Sequence, residues 1–508
     1  MAVVKNTVFN IHQNRRMNLL IPIVVLWGAI AILLGGWFLF GEDFQNIYRD
    51  YYLLPWAAGA GIIILSPSAY LFYKKKFDFF HPLVFAAWSY IFPAFVIGAV
   101  ILSFGWSSPY FLLFIEDPEY NLPLSLIYVS IGYLSMTIGF FLPISRVFAE
   151  KIGNALPNWQ WDISKVWVPG ILLVLAGIGI SILGFIQGLL GFQRATEVNI
   201  FDGLVVFLVI LLSEGTILLW LAIFQTKNKT GIYYIVLSFL LLMIPLRMAF
   251  LGSRGSLLIG VIPIMMTFQY SGRKLKRLHA IGFGLTLIIA LFIGIVYGTT
   301  FRNLKGSEAR AEAGDYFGQV IATVDYLSTH DWNLIVYQNA LTLAERVDNL
   351  SSLGVVVANY EKLAQYEAGY GLENNIINDL YTSFIPRFVW ADKPPTSNPR
   401  AYSDLYFNYS ENSFAITPFG DLLRNFGPIG VPLGMMILGV YFRLIYSSLI
   451  DTPFPSIWKK TAYFPLLTVV SFEAFYATIF PSLVRTIFVL ALSLFLANLL
   501  IKNKKYAK

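Results

Sequence analysis

The chain contains no cysteine, which excludes disulfide bridges and thiolate metal sites, and it has only four histidines. Charged residues make up just 13% of its 508 positions while hydrophobic residues make up 57%, too little charge for a soluble chain of this length. No internal repeat or low-complexity segment stands out. The apolar segments lack the alternation of barrel strands; they are continuous and reach roughly 20 residues, the length a helix needs to cross about 30 Å of hydrocarbon.

These absences leave an all-α, polytopic membrane protein of about twelve transmembrane helices. Spans are expected near 17–40, 52–73, 82–104, 122–143, 166–188, 204–224, 232–250, 255–270, 279–299, 428–449, 461–480 and 485–501. The chain then divides into helices 1–9 over residues 1–299, one polar insertion over 300–427, and helices 10–12 over 428–508. No small-residue cleavage site follows the first apolar run, so 17–40 reads as a retained signal anchor.

Basic residues fix the orientation, because cytoplasmic loops concentrate Lys and Arg. They cluster at Arg15 and Arg16, Lys74 to Lys76, Arg146 and Lys151, Lys227 and Lys229, Arg273 to Arg277, Lys459 and Lys460, and Lys502 to Lys508, on every second loop. Both termini are therefore expected on the cytoplasmic side, and the net charge of +7 reflects topology rather than nucleic-acid binding. The short loops 41–51, 105–121 and 189–203 and the insertion fall outside.

The insertion nevertheless holds nine of the 36 Lys and Arg residues, against the usual asymmetry, and an anionic lipid-linked substrate accounts for them. Arg302, Arg310, Arg346, Arg387, Arg400 and Arg424 outnumber Lys305, Lys362 and Lys393 there. A guanidinium offers a rigid fork suited to phosphate oxygens. Arg247 and Arg254 join them at the turn ending in Gly252-Ser253-Arg254-Gly255, where exposed amides would assist in holding phosphate. Helices are expected over 331–350, with Leu334, Leu341, Ala344 and Val347 as the apolar stripe, over 372–384, and over 419–426 between a Thr417-Pro418 start and a Gly427 stop. The whole insertion is expected to cover the bundle as a lid or platform.

His330 is the one histidine placed outside, since His12, His81 and His279 fall on the cytoplasmic side, and Asp331 beside it either orients it or starts a helix. Glu373, Asp379, Asp404 and Asp421 are not ranked as acids or bases by sequence. Glu214 and Glu473 fall within expected spans, where a carboxylate is costly, and pairing with Arg443 or Arg485 is favoured over a transport role.

The segments Ile385 to Pro395 (IPRFVWADKPP) and Thr417 to Gly434 (TPFGDLLRNFGPIGVPLG) resemble the Wzy-type O-antigen polymerases, which polymerise oligosaccharide repeat units. The GSRG turn at 252–255 is similar to theirs and to that of the O-antigen ligases, and many spans with one late external loop fit the same family. The resemblance implies a GT-C-type glycosyltransferase of the bacterial inner membrane. Its donor would be a growing glycan on undecaprenyl diphosphate, its acceptor a lipid-linked repeat unit, and a chain-length regulator and a flippase would be partners. Catalysis would fall to Arg254, Arg387 and His330, with Arg247, Arg302, Arg346 and Arg424 on the substrate diphosphate and neither metal nor cofactor required. Other readings are a membrane glycosyltransferase or ligase using Glu42-Asp43 of the first external loop, a flippase for lipid-linked sugars, or a scaffold of a secretion complex.

The orientation is testable directly. A reporter fused after Lys362 is expected to read external and one fused after Lys276 cytoplasmic; finding both on one side overturns the topology.

Overall fold

A computed structural model describes residues 51–107, 110–190, 202–251, 256–273, 277–305, 313–385, 389–390, 393, 397–410, 414, 416–452 and 455–503. Among the described residues every regular element is helical. In chain order these are α1 (Leu53–Tyr73), α2 (Pro82–Ser103), α3 (Pro118–Phe141), α4 (Pro143–Ala155), α5 (Trp167–Ile186), α6 (Gly203–Gln225), α7 (Gly231–Leu251), α8 (Ser256–Tyr270) and α9 (Arg277–Lys305). The insertion supplies α10 (Ala313–Thr329), α11 (Trp332–Val347), α12 (Leu350–Glu367), α13 (Asn375–Thr382) and α14 (Pro399–Phe407). The chain continues through α15 (Thr417–Leu449), α16 (Ile457–Thr468) and α17 (Ile479–Asn503).

Among the described residues, eight helices are long and apolar enough to cross a membrane: α1, α2, α3, α5, α6, α9, α15 and α17. That is the architecture of a multi-pass membrane protein in a lipid bilayer. The expected span 17–40 lies outside the described residues, and α7 and α8 match two expected positions but contain shorter apolar stretches. The expected span 461–480 is corrected. Helix α16 stops at Thr468 and gives way to irregular chain and a 3-10 turn at Tyr476–Thr478, so Glu473 is exposed in a turn rather than held inside a span.

Helices α3 and α15 form the axis of the bundle, and glycine sets how closely they approach. A β-carbon at Gly139 would collide with the Met436 carbonyl, and one at Gly439 with the Met136 carbonyl. Between apolar helices in lipid, close backbone contact of this kind takes the place of the hydrophobic drive available in water. Gly177 on α5 and Gly215 on α6 repeat the device, with a β-carbon at Gly215 falling 2.7 Å from the Val174 amide.

Helix α15 is bent at Gly427, whose φ of 66° and ψ of −164° favour a residue without a side chain. The expected short helix over 419–426 and its glycine break are therefore present, and the Thr417 hydroxyl accepts from the Gly420 amide at 3.3 Å.

The insertion does more than lie over the bundle. Residues Leu350, Ser351, Ser352, Leu353, Gly354, Val355, Val356 and Val357 of α12 are buried without interruption, the signature of a helix surrounded by protein on all sides. Gly354 packs against Leu122 and Ile115, the Asn359 amide donates to the Phe114 carbonyl at 2.8 Å, and the Tyr110 hydroxyl donates to the Phe407 carbonyl at 3.2 Å. Part of the insertion is thus a wedge at one end of α2, α3 and α15. The helix expected over 331–350 ends early, at Val347; of the expected stripe Ala344 is buried and Leu341 and Val347 pack against it beside Ile101 and Trp106, whereas Leu334 is exposed and Ile335 is buried in its place.

The opposite end of the bundle gathers the loops expected on the cytoplasmic side. The Asp78 carboxylate accepts from the Phe80 amide at 2.8 Å, the Tyr270 hydroxyl at 2.9 Å and the Tyr446 hydroxyl at 3.4 Å. Lys460 donates to the Tyr270 carbonyl at 2.7 Å and Lys459 to the Ser448 carbonyl at 3.2 Å. Helix α15 spans both ends, with Thr417 under the wedge and Tyr446 at the basic loops.

Asp348, between α11 and α12, seats this wedge on α2. It is 1% exposed, it accepts from the Ser351 amide at 3.1 Å and from the Ser351 hydroxyl, and the neighbouring Asn349 amide donates to the Ala94 carbonyl at 3.2 Å. Burial pushes the Asp348 carboxyl up to about 7. The folded state therefore retains a proton that the unfolded chain releases near pH 4, so this contribution is complete below about pH 4 and is lost as pH rises to about 7. Thermal unfolding of purified protein between pH 5 and 8 should show falling stability with rising pH, and Asp348→Asn should flatten that slope; an unchanged slope in the variant excludes Asp348 as its source.

Candidate functional site

Two polar corners form where the wedge meets the bundle. The first is built around Arg424, on the second turn of α15. Its guanidinium has no exposed surface, with Nη1 2.8 Å from Glu367 Oε2 and Nη2 2.8 Å from Asp421 Oδ1. Nη1 also donates to the Leu372 carbonyl at 2.9 Å and Nη2 to Asn375 Oδ1 at 2.7 Å. The remaining carboxylate oxygens are held as well: Glu367 Oε1 accepts from the Tyr406 hydroxyl at 2.9 Å and Asp421 Oδ2 from the Ala477 amide at 3.0 Å. Four separate segments of chain converge on one charge cluster. Burial pushes the Glu367 carboxyl upward and Arg424 pulls it back.

Beside this cluster, across Asn375, opens a cavity of about 290 Å³ lined by Glu373, Asn375, Asn378, Asp379, Thr382 and Ser397 together with Ala368 and Gly371. Asp379 is 4% exposed; its Oδ2 accepts from the Ser397 amide at 3.2 Å and the Ser397 hydroxyl at 2.8 Å. Burial raises its carboxyl above the ordinary range, and Ser397 partly offsets that rise. Behind it Lys393 Nζ donates to the Thr382 carbonyl at 2.6 Å and the Ile385 carbonyl at 3.0 Å.

The second corner lies at the end of α9, where α10 and α11 pack against it. Thr299, Thr300, Asn303, Leu304, Tyr326, Ile335, Gln338 and Asn339 line a smaller cavity of about 120 Å³. Arg302 belongs to the same turn of α9 as Thr299 and Asn303, and its charge lies close enough to that of Arg346 on α11 for the two to repel. Glu345 and Glu473 act on Arg346 in the opposite sense. The His330 ring stacks on Tyr326, a wall of this cavity, with centroids 3.7 Å apart.

The residues singled out in the sequence therefore fall into separate places. Arg254 and Arg387 lie outside the described residues, as do Glu42 and Asp43. Arg247 is half-buried on α7. Arg302 and Arg346 interact through their charges beside the second corner, and His330 stacks on its wall residue Tyr326, but none of the three is among the described residues lining that cavity. Arg424 is corrected from a diphosphate ligand to a structural residue, because its guanidinium is sealed and committed to protein acceptors. Asp331 accepts from the Asn333 amide at 2.9 Å as the N-cap of α11, so it starts a helix rather than orienting His330.

Glu214, inside a span, is held by a hydroxyl, and Glu473, in its exposed turn, acts on the charge of Arg346. Glu214 accepts from the Ser493 hydroxyl, while Arg443 lies over the Phe140 ring at 5.2 Å and Arg485 over Phe207 at 4.3 Å. Among the described residues no three His, Asp or Glu side chains gather where they could hold a metal ion. Sequence reasoning missed Glu367, and it named Asp379 among the unranked acids without its partner Ser397, whereas Asp421 and Arg424, three apart on an expected helix, carried a signal for a local ion pair.

No family model matches the chain, and neither a curated protein nor a solved structure matches it.

Removing Arg424 leaves two buried carboxylates facing each other. Arg424→Met is expected to destabilise the purified protein by about 3–5 kcal/mol, and adding Glu367→Gln with Asp421→Asn should recover part of that loss in thermal unfolding. An Arg424→Met protein as stable as wild type but inactive would return Arg424 to the substrate.

Proposed function

We propose that this chain is a glycosyltransferase that polymerises lipid-linked oligosaccharide repeat units at the outer face of a bacterial inner membrane. On this reading the bundle is of the GT-C type with about twelve spans, both termini cytoplasmic and the insertion outside. The observation that carries it is that Arg302 and Arg346, both assigned to a diphosphate from the sequence, lie close enough for their charges to interact, Arg302 on the turn of α9 whose neighbours Thr299 and Asn303 line a small polar cavity where α9 runs out of its apolar stretch. Glu345 and Glu473 act on Arg346 from the protein side, and a substrate diphosphate would bring further negative charge to both guanidinium groups.

The chemistry follows from these groups. A hydroxyl of the acceptor repeat unit attacks the anomeric carbon of the glycan attached to undecaprenyl diphosphate. The bond from that carbon to the diphosphate oxygen breaks, and the electron pair leaves with the lipid diphosphate. Arg302 and Arg346 would neutralise the charge growing on that oxygen, and a donor so placed is worth about 2.7–4 kcal/mol in comparable sites. His330 Nδ1 lies 3.2 Å from the Tyr326 carbonyl, which can only accept, so in the neutral ring Nδ1 carries the proton. Its Nε2 lone pair then remains to take the proton from the attacking hydroxyl. No metal is needed for any of these steps.

The test is turnover of a lipid-linked repeat unit by purified protein in excess chelator, at matched membrane abundance. Arg302→Lys and Arg346→Lys keep the charge but lose the fork and should lower the rate about a hundredfold. Lys362→Ala breaks only an exposed ion pair with Glu116 and should stay near wild type. Unchanged rates in both arginine variants, or full loss in chelator restored by magnesium, would overturn the arginine mechanism.

A further inference from the structure

The cavity beside the Arg424 cluster takes no part in the chemistry just described, yet it is built as a binding site. Four of its polar wall residues are nine-tenths buried or more: Asn375, Asp379, Thr382 and Ser397 are 3%, 4%, 3% and 8% exposed. They are held in place from behind. Asn375 Nδ2 donates to Ser397 Oγ at 2.6 Å, Asn375 Oδ1 is fixed by Arg424 and Asn425, and Thr382 is held through its carbonyl by Lys393. Such support is what keeps a site's hydrogen-bonding groups in one geometry before a ligand arrives.

The unused hydrogen-bonding capacity faces one way. Both hydrogen bonds to Asp379 fall on Oδ2, and among the described residues Oδ1 takes none. Glu373 and Asn378 are exposed on the opposite rim. The described lining offers two carboxylates, two carboxamides and two hydroxyl residues, and no cation. A ring bearing several hydroxyls satisfies such a set, because each hydroxyl both donates to a carboxylate and accepts from an amide. Tyr370 and Tyr381 stand partly exposed nearby, and the Tyr381 hydroxyl donates to Asn378 Oδ1 at 3.3 Å, so aromatic surface lies beside the opening for the apolar face of such a ring. At about 290 Å³ the cavity is at the small end of ligand pockets, room for one ring of a glycan rather than a whole repeat unit.

We propose that this cavity is a saccharide subsite for a single neutral or amino-bearing ring of the glycan, and that it rejects uronates. The proposal rests on the polymerase reading for its placement on the substrate path. Its selectivity comes from charge. An anionic ring would bring a third carboxylate against Asp379 and Glu373, and the one cation acting on Asp379, Lys393, is buried behind the wall and held by the Thr382 and Ile385 carbonyls, whereas an ammonium group would be drawn in.

The test uses purified full-length protein in lipid nanodiscs and saturation-transfer NMR with the methyl glycosides of N-acetylglucosamine, glucosamine and glucuronic acid. Wild type should bind the first two at least tenfold more tightly than the third. Asp379→Asn keeps the shape and the Ser397 bonds and should erase the tenfold preference for glucosamine over the glucuronide. Asn378→Ala, on the exposed rim where folding is not at stake, should weaken N-acetylglucosamine several-fold. Equal binding of the glucuronide, unchanged selectivity in Asp379→Asn, or no transfer from any of the three to wild type overturns the subsite. Turnover of a lipid-linked repeat unit is measured alongside: selectivity without turnover removes the polymerase reading and leaves the subsite, and turnover without selectivity does the reverse.

Discussion

One buried ion cluster determines where the insertion can go. Arg424 is brought to the end of the bundle by the first turns of α15, and it is tolerable there because Glu367 and Asp421 neutralise it and Leu372 and Asn375 accept further bonds from Nη1 and Nη2. Each partner belongs to a different stretch of chain, so satisfying the guanidinium fixes the end of α12, the start of α13 and α15 at once. The Ala477 amide on Asp421 adds the segment leading into α17. A charge that cannot be solvated thus acts as a register pin, a use of buried ion pairs better supported than any net stabilisation.

That pin works against a frame set by the bilayer. Apolar helices in lipid gain little from burying one another, and the close contacts of Gly139 and Gly439 show α3 and α15 relying on backbone approach instead. Most of the polar anchoring described lies at the two ends, with pairs such as Glu214 and Ser493 between spans. At one end Asp78 ties the loop after α1 to α8 and α15, and at the other Asp348 and the Arg424 cluster tie the insertion down. The first half of α12, buried on every side and apolar apart from Ser351 and Ser352, fits this division, since a segment of the insertion packed around α3 has little solvent to face.

The sequence disclosed the helices and their polarity far better than it disclosed the contacts. Long apolar runs announce spans through composition alone, so α1, α2, α3, α5, α6, α9, α15 and α17 were legible, and Gly427 announced its own break. The exception at 461–480 has a physical reason: Pro465 and the polar Ser471 and Glu473 interrupt a stretch whose mean character is apolar, and the helix ends at Thr468. Helices α10 and α12 escaped notice because their stripes are weak and one is buried all round, which erases amphipathic period. Side-chain roles were least legible. Arg302 and Arg424 carry the same fork and lie in the same insertion, yet one borders an open corner and the other is sealed, and only the partner Glu367, fifty-seven positions away, separates the cases.

The two corners are joined by a short stretch of chain rather than by direct contact of their groups. Glu473 acts on the charge of Arg346 at the second corner, Phe472 stacks on Tyr90 of α2 with centroids 6.1 Å apart, and four residues later the Ala477 amide binds Asp421 in the first. Residues 472–477 therefore run from the neighbourhood of the Arg302–Arg346 pair to the Arg424 cluster beside the carboxylate-bearing cavity. On the polymerase reading we propose, that spacing would hold the charged headgroup and a sugar ring of one substrate at different points, and so favour one orientation of that substrate. It also explains why the segment is irregular: a continuous α16 helix through 480 would carry Glu473 and Ala477 to nearly the same side, four residues apart, and could not hold one at each corner.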